Sequence, residues 1–112
     1  MTSGTQDSTG GGRVEAVNDP NGRFYELRYD GEAVGMLVYE TVGSRVVLTH
    51  TAIREGFRGR GLSRALIRYA LDDLDAQGAR ITVRCPVVDR FIDDNPQYRR
   101  LIAPGEGGDR AR

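Results

Sequence analysis

RVVLTHTAIREGFRGRGLSRALIRYALDDLDAQG, residues 45–78, is the stretch that decides the fold. Its opening, Arg45–Ile53, is rich in Val and Thr and reads as a strand, because β-branched side chains suit a pleated, half-buried surface. Gly56–Gly61 is a loop of glycine and arginine. Beyond it Leu62, Leu66, Ile67, Ala70, Leu71 and Leu74 recur at the spacing of one helix face. Gly78 then falls where a helix commonly ends in a left-handed residue. Strand, glycine-rich turn and helix in that order leave unpaired backbone N–H groups at the helix start, where the dipole favours an anion.

Upstream, three more strands are predicted. Arg13–Asn18 alternates weakly, and Asp19-Pro20-Asn21-Gly22 turns the chain. Phe24, Glu26 and Arg28 then alternate against Tyr25, Leu27 and Tyr29. Asp30-Gly31 predicts a hairpin turn into Ala33–Glu40, since both central positions need a left-handed backbone. Thr41–Ser44 turns again. Downstream, Arg80–Cys85 is a short strand with Ile81, Val83 and Cys85 on one face, ended by Pro86. Val88, Phe91 and Ile92 suggest a short helix. Asn95-Pro96 reads as an N-cap followed by proline at the first position of a last helical turn, Pro96–Ile102. The expected fold is α/β of the α+β kind. It has an antiparallel four-strand meander, a helix, a right-handed crossover to a fifth strand parallel to the fourth, and short C-terminal helices. Residues 13–103 form the domain. The tails 1–12 and 104–112, polar and glycine-rich, are expected to be disordered.

Composition removes several function classes. The 112 residues carry 16 basic and 16 acidic side chains, a net charge of zero, so neither a broadly basic nucleic-acid binder nor a polybasic membrane anchor is expected. Every basic residue is arginine, which excludes lysine Schiff bases and the P-loop lysine. One Cys and one His exclude an internal disulfide and a four-ligand zinc site, so no metal is expected. No apolar run reaches the roughly 18 residues of a membrane span. A reducing compartment, the cytoplasm, is the expected location.

Charge placement sharpens the reading of the loop. Arg58, Arg60, Arg64 and Arg68 crowd the helix start, and Asp72, Asp73 and Asp75 sit near its end. Helix stability alone favours the reverse arrangement. A polyanion held at the basic end explains it; a solvated face with pairs such as Arg68–Asp72 explains it without a ligand. Gly56 and Gly61 have P-loop spacing, but Leu62 stands where lysine is required. Gly59 and Gly61 lack the third glycine of a dinucleotide fingerprint and follow the fourth strand of a meander.

Arg58-Gly59-Arg60-Gly61-Leu62-Ser63 resembles the acyl-CoA loop of the GNAT N-acetyltransferases, Gln/Arg-x-x-Gly-x-Gly/Ala, with Ser63 in place of the final small residue. Leu48-Thr49-His50-Thr51, Cys85-Pro86 and Asn95-Pro96-Gln97-Tyr98 resemble the short, single-domain branch called YjdJ-like. The resemblance spans residues 14–102. It implies that N–H groups of Gly59, Arg60, Gly61, Leu62, Ser63 and Arg64, together with Arg58, hold the pyrophosphate of acetyl-CoA. It implies that main-chain groups of Ala52 and Ile53 pair with the pantetheine arm. The thioester then lies between the ends of the fourth and fifth strands, near Cys85.

Acetyl transfer to an amine needs a neutral nucleophile, a donor to the carbonyl oxygen and a proton for the departing thiolate. A backbone N–H near Ile53 is one such donor. His50, by strand alternation, shares a face with Val46, Leu48 and Ala52. It is either a base or substrate-binding group, or a half-buried structural histidine. Cys85 is either a small buried hydrophobe, a proton donor to the thiolate, or an acceptor of the acetyl group. Tyr98 either donates a proton or packs the C-terminal helix through its ring and hydroxyl. Glu40, Glu55 and Asp89 are further acidic groups that the pattern does not rank. The acceptor amine is unidentified, small or peptidyl. An acyl-CoA-binding module without efficient catalysis is the alternative. A third reading, single-strand nucleic-acid binding through the arginines and Tyr69, is opposed by the neutral charge. The fifth strand ends as an exposed edge, so a monomer or weak homodimer is expected.

Overall fold

Residues 13–102 are described by the computed structural model; the expected tails lie outside them. Asp19 closes the first turn twice over, its carboxylate accepting from Gly22 N–H at 3.0 Å and its carbonyl from Arg23 N–H at 2.8 Å. This folds β1 (Val14–Asp19) against β2 (Phe24–Tyr29). Asp30 and Gly31 hold φ of 52° and 83°, the left-handed pair expected of Asp-Gly, and join β2 to β3 (Glu32–Val42). A turn at Gly43 leads into β4 (Arg45–Ile53). A one-turn 3-10 helix, Glu55–Phe57, precedes α1 (Leu62–Ala76). Then come β5 (Arg80–Val83), α2 (Pro86–Asp94) and a 3-10 helix at Pro96–Leu101. The sheet runs β1-β2-β3-β4-β5, antiparallel except for the parallel β4–β5 pair.

One face of the sheet carries the core. Tyr25, Leu27, Leu37, Leu48 and Ile81 meet Leu66, Ile67, Ala70 and Leu71 of α1 and Val88, Phe91 and Ile92 of α2 in a single buried cluster. Both helices therefore cover the same face. Val47 and Thr82 are partners across β4 and β5 and are almost fully buried, yet they stand outside that cluster on the other face.

Three local expectations change. The last helix is 3-10 rather than α, and its predicted N-cap does a different job. Asn95 makes no side-chain cap; its amide donates to the Phe91 carbonyl at 2.8 Å and closes α2 from behind. The edge of β5 is partly covered, because Ile102 forms a parallel bridge to Ile81. The most consequential change lies in β4. Val38 pairs with His50 and Tyr39 with Leu48, so Thr49 is an extra residue, a β-bulge. The Thr49 hydroxyl donates to the Val38 carbonyl at 3.1 Å across the irregularity. Because side chains alternate with a period of two, one inserted residue exchanges the faces beyond it. Leu48 is fully buried in the core, whereas His50 and Ala52 are exposed on the helix-free face. His50 thus shares a face with Ala52 but not with Val46 and Leu48.

Candidate active site

β4 and β5 pair only over Arg45–Leu48 and Arg80–Val83, and the last bond runs from Arg84 N–H to the Leu48 carbonyl at 2.9 Å. Pro86 then starts α2, and β5 ends. β4 continues to Ile53 with that edge free of a strand among the described residues. Arg54 N–H donates to the Val34 carbonyl at 2.8 Å, which sets the phase of the ladder. In an antiparallel pair, alternate residues aim their main-chain groups at the neighbour. Ala52 and His50 therefore face β3, and Thr51 and Ile53 face the gap left by β5. The main chain of Ala52 is occupied by β3, and it is Thr51 rather than Ala52 whose main-chain groups face the gap. The Ile53 carbonyl already accepts from Arg58 Nε at 3.2 Å.

The loop beyond β4 presents donors. Gly59 and Gly61 hold φ of 79° and 75°, and Gly61 is the left-handed N-cap of α1 with no side chain capping the helix. Left-handed residues next to a helix start turn successive N–H groups into one concave nest. From Gly59 to Arg64 no N–H has a hydrogen-bond partner among the described residues; the first to be paired is Ala65, to the Gly61 carbonyl at 3.3 Å. Leu62 is buried beneath this turn and Ser63 is half-buried. Around it, the Arg60 guanidinium lies 5.2 Å from the Phe57 ring centre and 5.9 Å from that of Tyr29. Arg68 lies 5.4 Å over Phe91. Arg64 is exposed and unpaired among the described residues.

At the other end of α1 the aspartates are all engaged. The Tyr98 hydroxyl donates to Asp72 at 2.7 Å and the Tyr25 hydroxyl to Asp73 at 2.8 Å, while Asp75 pairs with Arg100. The Arg68–Asp72 pair offered by the ligand-free explanation of the charges is not formed among the described residues; Asp72 accepts from Tyr98. Burial, then the Asp72 bond and charge, hold the Tyr98 phenol above its ordinary value, with Arg68 opposing. Asp72 lies ten residues into the helix, about 15 Å along α1 from its start. Tyr98, its ring also packed 5.9 Å from that of Phe91, is anchored there.

Cys85 is buried at the N-terminus of α2, and its sulfur lies 3.3 Å from the Thr51 hydroxyl. The bulge therefore brings Thr51 to the cysteine on the helix side of the gap and leaves His50 on the opposite side. Sequence reasoning missed Thr51; its only signal is a position two residues after an unseen bulge. Glu40 and Glu55 are exposed, and Asp89 lies in the first turn of α2. Among the described residues no group of three or more His, Cys, Asp or Glu is gathered as for a metal ion, and no helix is long and apolar enough to cross a membrane.

A mixed sheet whose parallel pair parts beside a glycine-arginine turn opening a helix is the layout of an N-acetyltransferase. Residues 24–101 match the family described as GCN5-related N-acetyl-transferase, and the chain belongs to that family. Protein NATD1 of Mus musculus is 31% identical over 98 residues, covering 84% of this chain and 89% of the relative. Protein NATD1 of Bos taurus is 33% identical over 95 residues, covering 81% and 84%. Among solved structures, the ribosomal-protein-S18-alanine N-acetyltransferase of Escherichia coli superposes with a TM-score of 0.50 at 22% identity, over 55% of this chain and 41% of that one. The ribosomal-protein-alanine N-acetyltransferase of Brucella melitensis biovar Abortus 2308 gives 0.50 at 20%, over 73% and 65%. The chain thus covers less than two thirds of either enzyme's length, and these likenesses concern the fold.

Proposed function

We propose that the protein transfers an acetyl group from acetyl-CoA directly to the amine of a small-molecule or peptidyl acceptor. The observation that carries this reading is the run of unpartnered N–H groups from Gly59 to Arg64 beside the open edge of β4. The nest binds the diphosphate, with Arg58 and Arg64 contributing positive charge. The pantetheine amides pair with main-chain groups of Thr51 and Ile53, as a short strand would where β5 has left. An N–H of that edge polarises the thioester carbonyl. The neutral amine forms a C–N bond to the carbonyl carbon, the C–S bond breaks, and the sulfur leaves with the electron pair and takes up a proton. The amine's own surplus proton passes to a base. His50, exposed beside the bulge, serves as that base, and Cys85 with Thr51 supplies the proton to sulfur. Tyr98, held by Asp72, anchors the C-terminal segment and takes no proton-transfer role. The protein works in the cytoplasm as a monomer or weak homodimer, without a metal.

Thermal unfolding with acetyl-CoA tests the reading. A ligand at 100 times its dissociation constant adds about 2.7 kcal/mol of stability, on the order of ten degrees for a domain of this size. Gly61→Val, which puts a β-branched residue where φ is 75°, should abolish that shift. No shift of the unaltered protein at millimolar acetyl-CoA would end the proposal. A shift without CoA release across a broad amine panel would point to a binding module instead.

A further inference from the structure

The two edges of the sheet are finished differently. At β5 the chain returns and Ile102 bridges Ile81, which covers part of that edge. At β1 no strand among the described residues pairs with the outer side. β1 also lacks the usual protections of an edge. It has no proline and no lysine, and its ladder with β2 runs without the bulges found between β2 and β3 and between β3 and β4. Asp30 N–H donates to the Arg13 carbonyl at 2.8 Å, which sets the phase of that ladder. Arg13, Glu15, Val17 and Asp19 therefore aim their main chains at β2, and Val14, Ala16 and Asn18 aim theirs outward. Side chains divide the same way. Val14 and Ala16 pack on the core, and Glu15 and Val17 lie on the helix-free face. The exposed Arg13 guanidinium makes no hydrogen bond or ion pair among the described residues, and Asp19 spends one carboxylate oxygen on Gly22 N–H.

We infer that β1 is a pairing edge for a second copy of this chain, the two strands running antiparallel about a two-fold axis at Ala16. The strand's own groups select that register. With Ala16 opposite itself, every outward main-chain group of Val14, Ala16 and Asn18 meets its complement on the partner. Arg13 then lies opposite the partner's Asp19, once on each side of the axis, and Glu15 lies opposite the partner's Val17. Moving the axis to Glu15 sets Glu15 against itself, and moving it to Val17 sets Glu15 against Asp19. Opposite charges across a ladder support it and like charges oppose it. Such an axis stands perpendicular to the sheet, so the helices of both copies cover one side of a continuous sheet of twice five strands. Tyr69, 39% exposed, stands beside this joint, on the flank of α1 away from Phe91 and 5.9 Å from the Tyr25 ring of β2. One strand and a tyrosine fall short of the roughly 20–30 residues a side of a standard interface, so the dimer is weak and reversible. Arg13 and Ile53 lie at the same end of one copy's sheet, and the two-fold therefore puts the two glycine-arginine turns at opposite ends of the joined one. The inference holds whether or not the chain transfers acetyl groups.

Sedimentation of the full chain from micromolar to millimolar concentration should show a reversible equilibrium of monomer and dimer. Amide hydrogen exchange at low and high concentration locates the joint. Val14, Ala16 and Asn18 should gain protection as concentration rises, while Glu15 and Val17, already bonded to β2, should not change. Ala16→Pro removes the outward N–H at the axis and should leave a folded monomer with unaltered affinity for acetyl-CoA. Arg13→Glu turns two attractions into two repulsions and should weaken the dimer about 10-fold. Val17→Arg places opposite charge against Glu15 in this register alone and should tighten the dimer. A chain that stays monomeric at every concentration would overturn the inference. So would a dimer protected at β5 or elsewhere, or one indifferent to both charge variants. Protection of Val14, Ala16 and Asn18 that is equal at all concentrations would put a segment of the same chain on this edge, and would also overturn it. Should Ala16→Pro fail to fold, the charge variants decide, because they keep every main-chain bond.

Discussion

The two ends of α1 carry charge against the helix dipole for different reasons. At the C-terminal end Gly78, at φ 71°, completes a tight cap in which Ala79 N–H reaches the Leu74 carbonyl and Gly78 N–H the Asp75 carbonyl, each at 3.0 Å. The three aspartates beside it bind two tyrosines and an arginine from distant segments. At the N-terminal end neither backbone nor side chain closes the helix; Arg60 and Arg68 rest on aromatic rings, Arg64 lies in solvent and Arg58 holds the Ile53 carbonyl. A single pattern of acidic and basic residues thus holds an anchoring device at one end and an open donor array at the other. Charge reversal along a helix is evidence of a ligand only at the end where tertiary structure does not use the charges.

Asp73→Ala is the strongest way to break this comparison. It leaves the Tyr25 hydroxyl, on a ring only 1% exposed, without its acceptor. Urea unfolding should show a loss of about 1–3 kcal/mol, with acetyl-CoA affinity by titration calorimetry unaltered. A parallel loss of affinity would mean that the two ends are not independent.

Tyr98→Phe is gentler, because Asp72 is exposed and can be solvated. About 0.5–1.5 kcal/mol should be lost at neutral pH. The alkaline limb adds a sign. Burial and Asp72 raise the Tyr98 phenol above its ordinary 10.0 in the folded protein, so the bond's contribution is complete below pH 10 and fades as pH climbs through the folded value. The gap between unaltered protein and variant should therefore narrow above pH 10. Parallel stability curves up to pH 11 would contradict the Asp72 anchor.

The smallest effect sharpens the contrast most. Arg64→Ala removes a positive charge from the positive end of the dipole. The ligand-free protein should gain about 0.3–1 kcal/mol at low salt while acetyl-CoA binds more weakly. Stability and affinity moving in the same direction would count against an anion at this turn.

Much of this was legible because local chemistry and tertiary structure agree. Asp30-Gly31 and Gly78 demand left-handed backbone and have it, and the apolar stripe of α1 is the buried face expected. Arg45–Ile53 is the predicted strand to the residue. The side on which His50 emerges was not legible. A bulge adds one residue without any residue type that announces it, and Thr49 reads as an ordinary strand residue. That single insertion moves His50 to the other face, hides Thr51 and turns the main chain of Ala52 from the gap. Asn95 departs from its expected N-cap role for another reason, and Tyr98 finds the partner of its hydroxyl only in the fold. Both sit beside residues that suit the role the sequence suggests, and only long-range packing or the preceding helix supplies the partner each actually takes.

Gly35, opposite Ile53 in the ladder, has a role reaching beyond its own strand. A β-carbon there would stand 2.6 Å from Ile53 Cδ1 and 3.2 Å from the Ala52 carbonyl. The bare backbone at that point leaves room for the Ile53 side chain to fold across β3, so a glycine on the neighbouring strand sets where the last side chain of β4 lies beside the gap.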